Sequence, residues 1–241
     1  MRINQYLSHQ GICSRRHADR LIRQGKVVVN GAVAAFGMDV SASDAILIEN
    51  KLISIVPPPA LYLLYHKPVG VVCTNADSVD NNLPKALADS GFELASHWFA
   101  VGRLDKESEG LLLITNQGAV AQALLHYENK QAKQYIVTLD KAVSHQHLAQ
   151  LSAGVQLGRE RTLPCRVFRL APQVIQFELV QGLNRQIRKM CQSLGFRVVR
   201  LQRVSFAGLS MQGLAAGEWR RLDAQEIAHI QRFVEESGYE S

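Results

Sequence analysis

The residues with the most chemical capacity lie in the string Gly102-Arg103-Leu104-Asp105-Lys106-Glu107-Ser108-Glu109-Gly110, which runs directly into Leu111-Leu112-Leu113-Ile114-Thr115-Asn116. Polar residues crowded ahead of an apolar strand make poor core, and a loop carried by a rigid strand is where functional side chains concentrate. Three carboxylates, Asp105, Glu107 and Glu109, stand among the cations Arg103 and Lys106. A carboxylate there can attack carbon or take a proton. Equally, Asp105 can be a turn or cap residue with both glutamates solvated. A second cluster bears on that choice. Residues 181–203 hold Arg185, Arg188, Lys189, Arg197, Arg200 and Arg203 and no acid, a local charge of +6. Arg185 and Lys189 stand at i, i+4, so on a helix their like charges share a face and favour an anionic partner. Ile187 and Met190 can face the core. Phosphates on such a basic face, with a carboxylate beneath, would suit chemistry on RNA.

The elements that must position these groups follow from local pattern. Gly110 to Thr115 reads as a buried strand behind the acidic loop, and Arg185 to Leu194 as a helix ended by Gly195. Ala60–Tyr65 and Gly70–Cys73 read as strands around the turn Lys67-Pro68-Val69-Gly70. Gln134–Leu139, Cys165–Leu170, Val174–Leu179 and Arg197–Leu201 are further strands. Ala119–Leu125, Ser144–Ser152 and a last stretch capped by Asp223 are helices. Adjacent strands without regular βαβ repetition indicate an α+β fold with a mixed, mainly antiparallel sheet. Ahead of this body, Pro57-Pro58-Pro59 supplies no backbone N–H and reads as a stiff spacer. The expected organisation is therefore a small domain over 1–56, a proline-rich linker over 57–60 and a body over 61–241.

The small domain reads as two short helices followed by small strands. Ile3 to Leu7 is amphipathic and closed by Gly11. Ser14 caps a second helix with Gly25 at its C′ position, and Ala18, Leu21 and Ile22 share one face. Val27 to Val29 enters an Asn30-Gly31 hairpin, and Ala45 to Ile48 is a further strand. Residues 1–26 carry Arg2, Arg15, Arg16, Arg20, Arg23 and Lys26 against Asp19 alone, a charge of +5. Arginine dominates, and its fork suits phosphate.

Composition agrees with an anionic partner and excludes other classes. The chain has 241 residues, 27 Lys+Arg against 21 Asp+Glu, and a net charge of +6. No apolar run is long enough to span a membrane, and the N-terminus has no apolar secretory core. Cys13, Cys73, Cys165 and Cys191 form no CxxC pair, and the histidines show no HExxH or HxxxH spacing. Reduced thiols, no metal and a cytoplasmic location are expected.

The segment RINQYLSHQGICSRRHADRLIRQGKVVVNG resembles the S4 RNA-binding domain. The resemblance implies that Arg15, Arg16, Arg20, Arg23 and Lys26 contact phosphates of a structured RNA stem-loop. Farther on, His66-Lys67-Pro68-Val69-Gly70, GRLDKESEGLLLITN, Lys133-Gln134-Tyr135 and QGLNRQIRKM occur in order. Together they resemble pseudouridine synthases of the RsuA type, which carry an N-terminal S4 domain. The stretch Leu151–Val155, with LVQGLNRQIRKMC and GEWR, is most similar to the RluF branch, which modifies large-subunit ribosomal RNA. The resemblance implies isomerisation of a uridine to pseudouridine, by a monomer, without a cofactor. It places the catalytic aspartate at Asp105, the tyrosine that packs on the target base at Tyr135, and the basic partner that keeps the aspartate ionised at Arg188. Arg103 would hold the flipped nucleotide and Ile187 would close the base pocket. Lys67, Lys133, Asn184 and Arg185 would join Arg103 and Ile187 in substrate binding. His66 stands where Asn is common, and Cys73 where Ser is. Other readings are a synthase for another ribosomal or transfer RNA uridine and a non-catalytic S4-type assembly factor. A third is a glycosidase that pairs Asp105 with Glu107 or Glu109.

Overall fold

The structure, a computed structural model, describes residues 1–53, 58–93, 98–125 and 131–238. Residues 54–57, and with them the start of the expected spacer, lie outside this set. The chain forms two compact units. One is built on Met1–Leu61 and the other on the chain from Tyr62 onward, save Ala95–Phe99 and Thr115–Gly118, which group with the first.

In the first unit, helices α1 (Ile3–His9) and α2 (Arg15–Arg23) precede strands β1 (Val27–Val29), β2 (Ala32–Val33), β3 (Ile46–Ile48) and β4 (Lys51–Leu52). The Ser14 hydroxyl accepts the His17 N–H, and Gly25 takes the positive φ that ends α2. Asn30 and Gly31, with φ of 51° and 84°, make the two-residue turn between β1 and β2. Ala18, Leu21 and Ile22 of α2 pack with Ile3, Leu7, Val27 and Ile46. Burying that stripe turns the arginines of α2 outward. Leu61 donates its N–H to Asn116, whose amide donates in turn to the Pro59 carbonyl, both at 2.9 Å. Asn116, the last residue of the acidic-loop motif, thus fastens the end of the proline stretch.

The second unit continues with β5 (Tyr62–Lys67), α3 (Leu83–Asp89), β6 (Phe99–Ala100), β7 (Glu109–Thr115), α4 (Gly118–Leu125), β8 (Lys133–Leu139) and α5 (His145–Ser152). There follow β9 (Gln156–Leu157), β10 (Glu160–Arg161), β11 (Arg166–Ala171), β12 (Val174–Leu179) and α6 (Gln186–Ser193). The last elements are β13 (Val198–Phe206), β14 (Leu209–Ser210), β15 (Trp219–Arg221) and α7 (Ala224–Ser237). The main sheet has the order β11-β12-β8-β13-β7-β5-β15, with β14 on β13 and β6 on β7. Strands β11, β12, β8 and β13 pair antiparallel, whereas β13 runs parallel to β7. The mixed, mainly antiparallel α+β architecture expected from the pattern is therefore present.

Two cores hold the sheet. One joins β5, β7, β13 and α7 through Leu64, Leu111, Leu113, Phe206 and Ile230. The other joins β8, β12 and α6 through Val137, Phe177, Ile187, Met190 and Cys191. Full burial of each large apolar side chain is worth about 1.5–3 kcal/mol, so α6 is pinned firmly by Ile187 and Met190. The segment Gly70–Cys73, expected as a strand, makes only an isolated bridge from Val72 to Asn82. Gly70 has φ +95°, which turns the chain away from the sheet. Helix α3 was not expected. Its local signals are the N-cap Asn82, which accepts the Lys85 N–H, and Pro84 in its first turn.

Candidate active site

The acidic loop is anchored on both sides of the Asp105 carboxylate. Gly70 donates its N–H to the Lys106 carbonyl at 2.7 Å, and Ser108 to the Asp105 carbonyl at 3.1 Å. The Leu104 N–H reaches the Cys73 sulfur at 3.5 Å, so the cysteine that replaces a common serine still accepts a hydrogen bond from this loop. Behind the loop, Gly110 of β7 lies against the Arg203 backbone of β13. Asp105 itself is half-buried, and among the described residues its carboxylate has no hydrogen-bond or ion-pair partner. Three cations nevertheless feel its charge: Lys67, Arg185 and Arg188 are each pushed toward their charged forms by it. A free carboxylate facing cations from the end of β5 and the start of α6 is an arrangement that can act on a substrate.

The other two acids are occupied. Glu107 accepts from Arg185 at 2.8 Å, and this bond holds its carboxyl below the usual range. Glu109 is nearly buried and pairs with Arg200. Neither is free to be the second carboxylate that glycoside hydrolysis requires. These pairs also revise the basic cluster. Arg185 is the N-cap of α6 in the left-handed conformation, φ 53°, so it does not share a helical face with Lys189. The anion that its charge called for is Glu107 of the same chain.

Arg188 comes from the first turn of α6 but does not pair with Asp105. Its guanidinium donates to the Glu107 carbonyl at 2.9 Å, the Ser108 hydroxyl at 3.3 Å and the Val198 carbonyl at 3.3 Å. Burial lowers its pKa, while Glu107 and Asp105 act in the opposite direction. Arg188 thus cross-links α6, the acidic loop and β13, and reaches Asp105 through its field alone. Ile187 is buried in the cluster against which Tyr135 of β8 packs. The structure therefore brings Asp105 and Arg188 to one loop, and Tyr135 and Ile187 to one apolar wall. Arg103 and Asn184 are exposed, and Asn184 accepts from Lys189 at 3.4 Å.

The two lysines sit differently from expectation. Lys67 is 0% exposed, and its ammonium donates to the Pro68 and Val71 carbonyls at 2.9 Å each. It braces the Lys-Pro-Val-Gly turn, and its burial keeps it from a substrate. Lys133 donates to the Gln131 and Val180 carbonyls and lies 5.6 Å from the Phe206 ring centre. Burial, aided by Arg203, pushes it down to about 8. An unfolded lysine holds its proton to about pH 10.4. The cost of keeping Lys133 charged is therefore full below pH 8 and disappears as pH rises from 8 toward 10.4. Lys133→Met is expected to raise Tm by a few degrees at pH 7, and by less at pH 9.5, in thermal scans at both values.

Arg203, counted among the sequence's RNA-facing cations, is 2% exposed. Its Nε donates to the Leu111 carbonyl at 2.7 Å, and its guanidinium lies 5.2 Å from the Phe206 ring centre. It is a structural strut under the site. Its position opposite Tyr135 in the β13–β8 register could not be read from charge alone.

In the first unit Arg15, Arg16, Arg20 and Arg23 are exposed along α2. Lys26 is also exposed, but it pairs with Glu49 at 2.6 Å.

Comparison with known proteins agrees with both halves. Residues 61–193 match the family described as RNA pseudouridylate synthase, and residues 1–46 match the S4 domain. The chain belongs to the RNA pseudouridylate synthase family. It is 39% identical, over its whole length and 82% of the relative's, to the dual-specificity RNA pseudouridine synthase RluF of Salmonella typhi. It is 31% identical to the ribosomal large subunit pseudouridine synthase B of Bacillus subtilis, over 97% of both chains. A crystallised pseudouridylate synthase shares its fold with a TM-score of 0.67 at 26% identity, covering 95% of this chain and 99% of the other. This synthase is thus an RNA isomerase of the RsuA type, and the reading as a glycosidase is withdrawn.

Proposed function

We propose that this synthase converts a uridine of large-subunit ribosomal RNA to pseudouridine, with Asp105 acting at the ribose. The observation that carries the reading is the unpartnered Asp105 carboxylate in a loop otherwise fixed by Gly70, Cys73 and Arg188. The relatives named as RluF and as ribosomal large subunit synthase B support the choice of RNA. The reaction breaks N1–C1′, turns the uracil, joins C5 to C1′, and moves the proton lost from C5 to N1. Atoms and electrons balance within the nucleotide, so the chemistry calls for no cofactor. Asp105 serves by adding to C1′ or by removing the 2′ proton. Tyr135 stacks on the flipped base, Ile187 closes the apolar wall, and Arg103 holds the displaced nucleotide. Arg188 acts as a positioning residue that fixes the loop bearing Asp105. The exposed arginines of α2 dock the stem-loop through its phosphates, and Lys26 joins them when it leaves Glu49. The body is read as the span 61–241 and the RNA-docking domain as 1–56. The synthase is read as a cytoplasmic monomer.

Carbodiimide primer-extension mapping of ribosomal and transfer RNA, from cells with and without this chain, tests the proposal. A stop in large-subunit RNA that depends on the chain is expected. A dependent stop confined to transfer RNA, or none, would refute the assignment.

A further inference from the structure

A cavity of about 730 Å³ opens in the second unit, and none of the residues given a role in the reaction lines it. Its size falls within the roughly 300–1,000 Å³ of small-ligand sites. Buried Tyr65 and Val71, with half-buried Trp219, supply aromatic and apolar surface. Lys85, Asp89 and Glu218 add exposed charges. The indole is preset: its Nε1–H donates to the Ser90 carbonyl at 3.1 Å, and Phe92 meets it edge-on at 5.1 Å. A ring fixed in this way can stack on a planar ligand at little entropic cost.

Asp89 has no helical reason for its place. It lies in the last turn of α3, where a carboxylate opposes the helix dipole. Together with Glu218 it outnumbers Lys85, so the cavity repels a phosphate yet can accept N–H groups. Carboxylates accept from the amino groups of bases. Aromatic surface beside acceptors fits a base with an exocyclic amino group whose phosphate stays outside, within reach of Lys85. The Pro68–Val71 turn forms part of the wall, and its Gly70 binds the carbonyl of Lys106, the residue after Asp105. An RNA strand that presents a uridine to Asp105 therefore passes close to this opening.

We infer that the cavity receives one unpaired, amino-bearing base of the substrate RNA and so helps select which uridine is isomerised. The inference rests on the reading of Asp105 given above. The test uses the full chain and a hairpin fragment of the RNA that carries the mapped uridine, made abasic at one position at a time. Ala86→Trp fills the cavity from the half-buried face of α3, and Asp89→Ala removes the acceptor while relieving the helix end. One abasic position is expected to raise KM about tenfold in the wild type, with kcat held. Ala86→Trp raises KM by a similar factor on the intact hairpin and is indifferent to that same abasic change. Asp89→Ala reproduces part of the effect.

Full multiplication of the abasic and Ala86→Trp effects at every position would overturn the inference, as would an unchanged KM in Ala86→Trp. So would competition by free adenosine or guanosine monophosphate in the absence of any coupled position, which would mark a nucleotide site instead. Should the wild type prove inactive on every RNA, the reading of Asp105 falls. The same series, read as Kd by filter binding, still decides the cavity.

Discussion

Replacing Asp105 by asparagine is expected to abolish isomerisation while leaving RNA binding nearly intact. The change is isosteric, and the hydrogen bonds that shape the loop here are made by the backbone: the Asp105 carbonyl to Ser108, and the Lys106 carbonyl to Gly70. The loop therefore keeps its form. An amide can neither add to C1′ as an anion nor take the 2′ proton, so kcat should fall by at least roughly 10⁴-fold, the scale on which enzymes lose activity with a reacting group. Binding to a polyanion is not weakened by removing a negative charge, so Kd for the RNA should hold or tighten. Single-turnover assays beside filter binding measure both quantities. Normal turnover would remove Asp105 from the chemistry. Full complementation of a deletion strain's growth by the inactive variant would show instead that binding is what the cell needs, as expected of an assembly factor.

The largest structural effect is expected at Gly110. Its φ of +116° is open to glycine and strained for any side chain. A Cβ there would lie 2.6 Å from the Arg203 amide nitrogen and closer still to the Arg203 carbonyl oxygen. These are backbone atoms of β13, and Arg203 is itself locked by its bond to the Leu111 carbonyl. Neither side can yield, so Gly110→Ala should separate β7 from β13 and cost about 4 kcal/mol or more. The expected outcome is a chain that is largely insoluble or melts far below the wild type. Gly118 is the control, since nothing lies within 4 Å of the position of its Cβ and its φ is not positive. Gly118→Ala, at the start of α4, should hold or slightly raise Tm. A Gly110→Ala protein with a normal melting curve would refute the close-approach argument.

Much of this was legible before folding because it depends on local rules. The Ser14 cap, the Asn30-Gly31 turn, the apolar stripe of α2 and the buried strand behind the acidic loop follow from periodicity and turn chemistry within a few residues. Ordered motifs singled out Asp105, Tyr135, Ile187 and Arg188. What remained hidden is set by partners far apart in sequence. Charge counting over residues 181–203 pointed to an external anion around the carboxylate, with Arg188 alone matched to a carboxylate of the chain. Folding brings Glu107 to Arg185 and Glu109 to Arg200, and buries Arg203 beneath β7. Lys67 has the side chain of a substrate contact, but two carbonyls of its own turn hold it.

The sequence by itself determined the two-part plan and most of the elements, because helix, turn and strand preferences act over short separations, and its ordered motifs singled out Asp105 as the candidate carboxylate. Only the tertiary structure decided which charges remain free to meet RNA. An ion pair forms where the sheet register and the packing of α6 bring opposite charges within a few ångströms, and no local pattern carries that distance.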